Sequence, residues 1–396
     1  MTLRLHKVTK QIDQLRENAV QRARRVQAEL PRALAAFDSA AQQTDLYEKA
    51  LAAMESGWDG ALPASGEPLS SFKEAPALPA ALALVAVDGS QVYPDHHAAS
   101  FYYVINIGFS LHRYDTGETD AGSEPEVVFD EAALHPDGNP ISQTILGARR
   151  TVEEMATLER IASAEKQTAP KRTVVALADG GFALRIDEKA FPPAERGALQ
   201  DKFFAAIDRL AAGKIPLAAY ISRPGGSPVL SLLDLAQEDA GEHARSRKAK
   251  KPASFPALDD SILFERLLPA GNRSPIFEFA SYWNNQYRNR EPNQSAHFFY
   301  LNVGRAYPVI ARVEVPAWTA KDPALLDCVH ATLVEQCAVT LNDPYPYALI
   351  RADEEAFVSG EEKQYLEQEM AIALIRGGMR VNRSEKLSHK GRARKH

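Results

Sequence analysis

Two short apolar runs, residues 82–87 and 173–178, each end at an aspartate followed by a glycine, Asp88-Gly89 and Asp179-Gly180. Runs that are apolar at every position suit strands buried on both faces of a sheet. Between them lie a strand pattern over 100–114, a shorter one over 126–129 after the turn-rich stretch 116–123, and a helical pattern over 142–166. Ile145, Val152, Met155, Leu158 and Ile161 are the apolar positions of that helix, and Pro170 ends it. A helix joining two strands of one sheet returns them parallel and adjacent. The expected order is therefore β-β-β-α-β, an antiparallel meander followed by a crossover.

The rest of the chain is arranged around this unit. Val8, Ile12, Leu15, Ala19, Ala23, Val26, Leu30 and Leu34 recur at steps of three and four with arginines between them, which predicts a long amphipathic arm with Pro31 as the place for a kink. Pro63, Pro68, Pro76 and Pro79, among Gly and Ser, mark a linker. The expected division is a helical arm over 1–56, a linker over 57–81, a main α/β domain over 82–380 and a basic tail over 381–396. Further helices are expected over 194–212, after Pro228, and over 323–341 and 360–376, with strands near 216–222, 298–302 and 309–315 and a basic loop over 242–252.

With 45% hydrophobic and 25% charged residues in 396, the composition is that of a globular protein. A net charge of -6 argues against a uniformly basic nucleic-acid coat, so an anionic partner must be met locally. Cys328 and Cys337 are too far apart for a Cys-x-x-Cys pair and are expected as reduced helix residues. The absence of an apolar run of membrane length or of a signal-like start gives a cytoplasmic expectation with no membrane partner.

Parallel neighbours end at the same sheet edge, so Asp88 and Asp179 are expected side by side. The crossover helix carries Glu153 and Glu154; Glu154, one turn before Leu158, leans toward the sheet, although Glu153 stays open as the alternative. An Asp-Gly after a strand is also an ordinary turn. Converging carboxylates, however, repel unless cations compensate, and an oxygen-only set favours Mg²⁺ or Mn²⁺. Two such ions suit phosphodiester hydrolysis. The pattern thus points to a two-metal nuclease with a ribonuclease H-like mixed sheet flanked by helices and preceded by a helical arm. The alternatives are an actin-like ATPase or sugar-kinase-type phosphotransferase, which needs a late glycine-rich adenosine loop where this chain has 345–354, YPYALIRADE, and a non-catalytic DNA-binding subunit. No Walker pattern is present, and Ser90 has no nucleophile elbow around it and is read as a turn or supporting residue.

The segments VAVDGSQ (85–91) and ALADGGF (176–182) resemble the NurA family of DNA-repair nucleases. Four more stretches carry the likeness in order: YISRPGGSPVLSLL from Tyr220, FERLLPAGNRSPIFE from Phe264, ARVEVPAW from Ala311 and DPYPYALIRADEEAFV from Asp343. The resemblance implies that Asp88, Glu154 and Asp179 match the manganese ligands. Many archaeal members have a histidine where this chain has Asp353, which leaves Asp353, or its neighbour Glu354, as a further site residue. It also implies a 5′-to-3′ exonuclease and single-strand endonuclease, homodimeric, working beside a HerA-like hexameric ATPase in double-strand-break end resection. Arg223 and Arg273 are candidate phosphate contacts, Tyr282 and Trp283 candidate base-stacking residues, and His96 and His97 follow Asp88 closely enough to line a cleft.

Overall fold

The computed structural model describes residues 7–64, 66–95, 100–184, 186, 191–238, 253–290, 293–340 and 343–378. His96, His97, the basic loop 242–252 and the basic tail 381–396 lie outside the described residues. The elements begin with α1 (Thr9–Ala41), α2 (Leu46–Glu55), β1 (Gly60–Pro63), β2 (Leu82–Val92), β3 (Tyr103–Arg113), β4 (Thr119–Val128), α3 (Glu131–Leu134), α4 (Gln143–Thr168), β5 (Thr173–Asp179), α5 (Pro193–Ala212) and β6 (Leu217–Ile221). They continue with α6 (Pro228–Gln237), α7 (Asp260–Leu267), β7 (Phe277–Ala280), α8 (Tyr282–Arg288), β8 (Ala296–Asn302), β9 (Ile310–Pro316), α9 (Ala317–Ala320), α10 (Pro323–Val339), α11 (Tyr347–Ala356) and α12 (Gly360–Arg376). The chain divides into two compact units, Met1–Pro76 with Tyr220–Val334, and Ala77–Ala219 with Glu335–His396. No helix among the described residues is long and apolar enough to cross a membrane.

In the first unit β1 pairs antiparallel with β7, β7 with β8, and β8 with β9. Much of the segment expected as a linker over 57–81 is thus part of a folded unit. Ala61 and Leu62 are buried on strand β1, and Leu69 joins the same core. The prolines punctuate this segment without freeing it, because the apolar side chains between them have a core to enter. The arm is one helix through Pro31. Its second half docks through Ala33, Phe37 and Ala40 onto a core shared with α6 and α7. Its first half leaves Ile12, Leu15 and Val20 exposed.

In the second unit the strand order is β6-β5-β2-β3-β4. Strand β2 pairs antiparallel with β3 and parallel with β5, and β3 pairs antiparallel with β4. The meander and crossover are those the sequence predicts, with two differences of extent. Strand β4 starts at Thr119, because Gly122 and Ser123 pair with Phe109 and Gly108 and the reversal is made earlier, around Gly117 at φ +74°. It is polar and mostly exposed and carries Pro125, features that suit a sheet edge. Strand β2 runs through the expected Asp88-Gly89-Ser90 turn to Val92, because β3 goes on pairing with it to Val92↔Val104.

Helix α4 covers one face of β2 and α11 the other, which is why residues 82–87 are apolar throughout. The seating of α11 depends on Gly108 of β3. A Cβ there would lie 2.1 Å from the Ala352 carbonyl oxygen and 2.3 Å from the Ala356 nitrogen, so the helix backbone rests directly on the strand. Ala348, Ala352 and Ala356 form the matching small face. Polar side chains from the strands hold the helix carbonyls: Ser110 Oγ donates to Ala348 O at 2.7 Å, Asn106 Nδ2 to Ala356 O at 2.8 Å, and Ser90 Oγ to Ala356 O.

Gly108→Ala is therefore expected to destabilise the protein by at least about 1–3 kcal/mol, since backbone must move to admit the methyl group. Gly147→Ala in α4, where a Cβ meets nothing within 4 Å, is expected to stabilise it by up to about 1 kcal/mol. Urea denaturation of the two variants beside wild type measures both signs.

Candidate functional site

Strand β2 has two partners up to Val87 and only one beyond it. The register with β5 ends at Val87↔Ala178, whereas pairing with β3 continues through Asp88↔Gly108. Asp179 is the last residue of β5, and Gly180 at φ +80° turns the chain away. The two aspartates thus stand together where the parallel strands part, the position at which open α/β sheets leave a crevice.

Asp88 is half-buried. The Gly89 N–H donates to its Oδ1 at 2.7 Å, and its carboxyl shares a side-chain hydrogen bond with Asp353. Burial, helped by the charges of Asp179 and Asp353 and opposed by the Gly89 N–H, raises its pKa from 3.8 to about 6. Two carboxyl groups share a hydrogen bond only when one of them carries a proton.

Glu154 approaches from the other face. Side chains alternate along a strand, so Gly89 faces α4 whereas Asp88 faces α11. A Cβ at Gly89 would fall 2.3 Å from Glu154 Oε1, so the missing side chain leaves the space that the glutamate carboxylate fills. Burial raises the pKa of Glu154 from 4.5 to about 7; Arg150 opposes the rise, and Asp88 and Asp179 add to it. Arg150 Nε lies 3.0 Å from Glu154 Oε1, one helical turn away. Glu153, the open alternative, is ion-paired to Lys202 at 2.6 Å on α5 and takes no part.

The fourth carboxylate comes from α11. Asp353 is exposed and bonded to Asp88, whereas Glu354 is ion-paired to Arg351. Tyr345, just before α11, donates its hydroxyl to Asp179 Oδ1 at 2.6 Å. Burial and the bond to Asp179 push its phenol pKa well above the usual range. Tyr345 is a site residue that reading the sequence missed. The signal available was its place eight residues before Asp353, ahead of a helix whose Ala-x-x-x-Ala-x-x-x-Ala spacing marks a close-packed face.

The other candidates belong to the first unit. Arg223 is exposed beyond β6, and Tyr282 is 77% exposed at the start of α8. Trp283 is half-buried, packing against Phe279 and edge-on to Tyr287. Arg273 corrects an expectation. It is 3% exposed, forms a two-pronged ion pair with Glu67 at 2.7 and 3.0 Å and lies over the Phe299 ring, so its guanidinium fork is already filled from within the unit. Ser90 ties down α11 as a supporting residue rather than forming a turn.

Among the described residues no three His, Cys, Asp or Glu side chains already converge as a closed metal-ligand group. Like charges at one edge repel, and each carboxylate here has taken its own partner: Asp88 with Asp353, Asp179 with Tyr345, Glu154 with Arg150. The donor set is nonetheless oxygen-only and charge-rich, and burial raises the proton affinity of Asp88 and Glu154, which fits a hard divalent cation competing for the same oxygens.

Among solved structures the chain is similar to the NurA nuclease from Sulfolobus solfataricus, at 12% identity over 84% of this chain and 92% of that one, with a TM-score of 0.45. It is also similar to a NurA with manganese, at 10% identity over 82% and 96% with a TM-score of 0.38, and to a NurA bound to dAMP and manganese, at 12% identity over 96% and 99% with a TM-score of 0.37. Among curated proteins nothing matches. Residues 82–358 match the NurA domain, a stretch that holds Asp88, Glu154, Asp179, Tyr345 and Asp353 and most of the chain. By that match the chain belongs to the NurA domain family.

Proposed function

We propose that this protein is a divalent-metal-dependent deoxyribonuclease whose site is the edge formed by Asp88, Glu154, Asp179 and Asp353. The observation that carries the reading is that four carboxylates from two strands and two helices are near enough to one strand edge for their charges to act on one another, inside the NurA domain match. The core is ribonuclease H-like in this reading, supported by the strand order β6-β5-β2-β3-β4 with an antiparallel meander ahead of the crossover helix. Asp88, Glu154 and Asp179 are the residues that would hold two Mn²⁺ or Mg²⁺ ions, with Asp353 completing the set. When bound, such ions stabilise charge on the entering and leaving oxygens of a phosphodiester. Any proton on Asp88 or Glu154 would have to leave for the carboxylate to hold an ion, and Tyr345 keeps Asp179 oriented.

DNA is the substrate, as single strands and duplex ends, cut with 5′-to-3′ polarity in end resection. A HerA-like hexameric ATPase and a second copy of the chain are the proposed partners. The exposed Ile12, Leu15 and Val20 on the first half of α1 supply an apolar surface for assembly. Cys328 and Cys337 are buried and in no disulfide, which suits a reducing, cytoplasmic setting.

Two outcomes follow. Incubated with end-labelled single- and double-stranded DNA, the protein is expected to cleave with Mn²⁺ or Mg²⁺ and to stop with EDTA. Asp88→Asn and Asp179→Asn are expected to abolish cleavage while staying folded, and cleavage that persists in EDTA contradicts the reading.

The second outcome concerns stability. Asp88 and Glu154 hold protons more tightly folded than unfolded, so between about pH 4 and pH 7 the native state binds more protons and its stability falls as pH rises. In EDTA at pH 8, Asp88→Asn is expected to melt above wild type, and the difference should close by about pH 4. Mn²⁺ should raise the melting temperature of wild type more than that of the variant. A variant less stable than wild type at pH 8 contradicts the electrostatic account.

A further inference from the structure

Four carboxylates at one edge repel a phosphodiester as strongly as they repel one another, so the protein needs a positive group beside them. The cations on the surrounding helices are committed elsewhere. Arg149 is fully used: Nε donates to Glu195 at 2.7 Å, and Nη1 reaches the Tyr103 hydroxyl and the Ala133 carbonyl, both at 2.8 Å. Lys202 pairs with Glu153, Arg160 with Glu124, and Arg351 with Glu354 and Glu355.

Arg150 differs from all of these. Its single ion pair is through Nε to Glu154, at 3.0 Å, and no partner for its two Nη groups is described among the described residues. Its stem passes over the strand edge, since a Cβ on Gly89 would lie 2.9 Å from Arg150 Cγ, and about a third of the side chain is open to solvent at 34% exposure. A guanidinium with both Nη groups uncommitted, on a stem that passes over Gly89 beside Asp88 in sequence, has the fork that matches two non-bridging phosphate oxygens.

We propose that Arg150 grips the phosphodiester at this site: it balances Glu154 in the free protein and offers its Nη groups to the non-bridging oxygens when a strand enters. The inference deepens the nuclease reading and rests on it for where the substrate lies. It also gives a reason for a cation one turn before the glutamate on α4, because a side chain there can serve both partners without leaving the helix face.

The test uses the full chain with Ca²⁺ in place of Mn²⁺ and a short fluorescein-labelled single strand, read by anisotropy over a range of salt. Mn²⁺ affinity is measured separately by calorimetry. Arg150→Gln is expected to weaken strand binding about ten-fold or more and to lower the slope of log affinity against log salt by about 0.7, the loss of one phosphate contact. Arg150→Lys, which keeps the charge and loses the fork, should restore the slope and part of the affinity. Mn²⁺ affinity should be kept in both variants. Strand affinity and salt slope unchanged in Arg150→Gln overturn the proposal, as does a loss of Mn²⁺ affinity alone, which would assign Arg150 only to holding Glu154. Failure of wild type to bind the strand overturns it too. A wild type that binds through Arg150 but never cleaves with Mn²⁺ or Mg²⁺ removes the nuclease reading and leaves this one standing.

Discussion

A helix backbone lies in direct contact with a β-strand at Gly108, and the second unit is organised around that contact. Gly108 pairs with Asp88 across the β2–β3 ladder, so the place where α11 comes closest to the sheet is also the place where the first aspartate stands. The approach brings Asp353 into hydrogen-bonding reach of Asp88. Hydrogen bonds from Asn106, Ser110 and Ser90 fix the helix along its axis, so its one carboxylate facing Asp88 arrives at a defined height. Gly89 leaves room for side chains of α4, Glu154 and Arg150, where Gly108 leaves room for the backbone of α11. Two glycines on adjacent strands, facing opposite sides, let two helices deliver acidic groups to one edge.

The cost of that convergence is electrostatic, and the fold meets it with separate small devices. A peptide N–H and a shared proton serve Asp88, a phenol serves Asp179, and a guanidinium serves Glu154. None of these is a buried permanent ion pair of the kind Arg273 makes with Glu67 in the other unit, where the fork is closed and shielded. The exchange of partners for cations and substrate that the proposed function requires is better served by bonds that open singly. Burial raises the proton affinity of Asp88 and Glu154, so the cation binding proposed for them would be coupled to proton release.

How much of this is legible in the sequence depends on which interactions are local. The two apolar runs, the crossover helix and the pairing of Asp88 with Asp179 follow from periodicity and from the rule that joined parallel strands end together. Glu154 is preferred over Glu153 by helical phase alone, and Lys202 supplies the reason from α5. What periodicity does not carry is close approach between distant segments. Nothing near Gly108 in sequence announces a helix more than two hundred residues later, so α11 and Tyr345 go unread although the Ala348, Ala352 and Ala356 spacing is visible. Arg273 shows the converse. A loop arginine between Asn and Ser looks like a phosphate contact until Glu67, from the stretch read as linker, fills its fork.

The central claim is that the four carboxylates of Asp88, Glu154, Asp179 and Asp353 form one divalent-cation site. Anomalous diffraction from crystals grown with Mn²⁺ tests it most directly, because manganese is then located without reference to activity. The account predicts manganese at the edge where β2 and β5 part, with oxygens of Asp88, Asp179 and Glu154 as ligands and Arg150 released from Glu154. Manganese bound elsewhere on the chain, with Asp88 still bonded to Asp353, would contradict it.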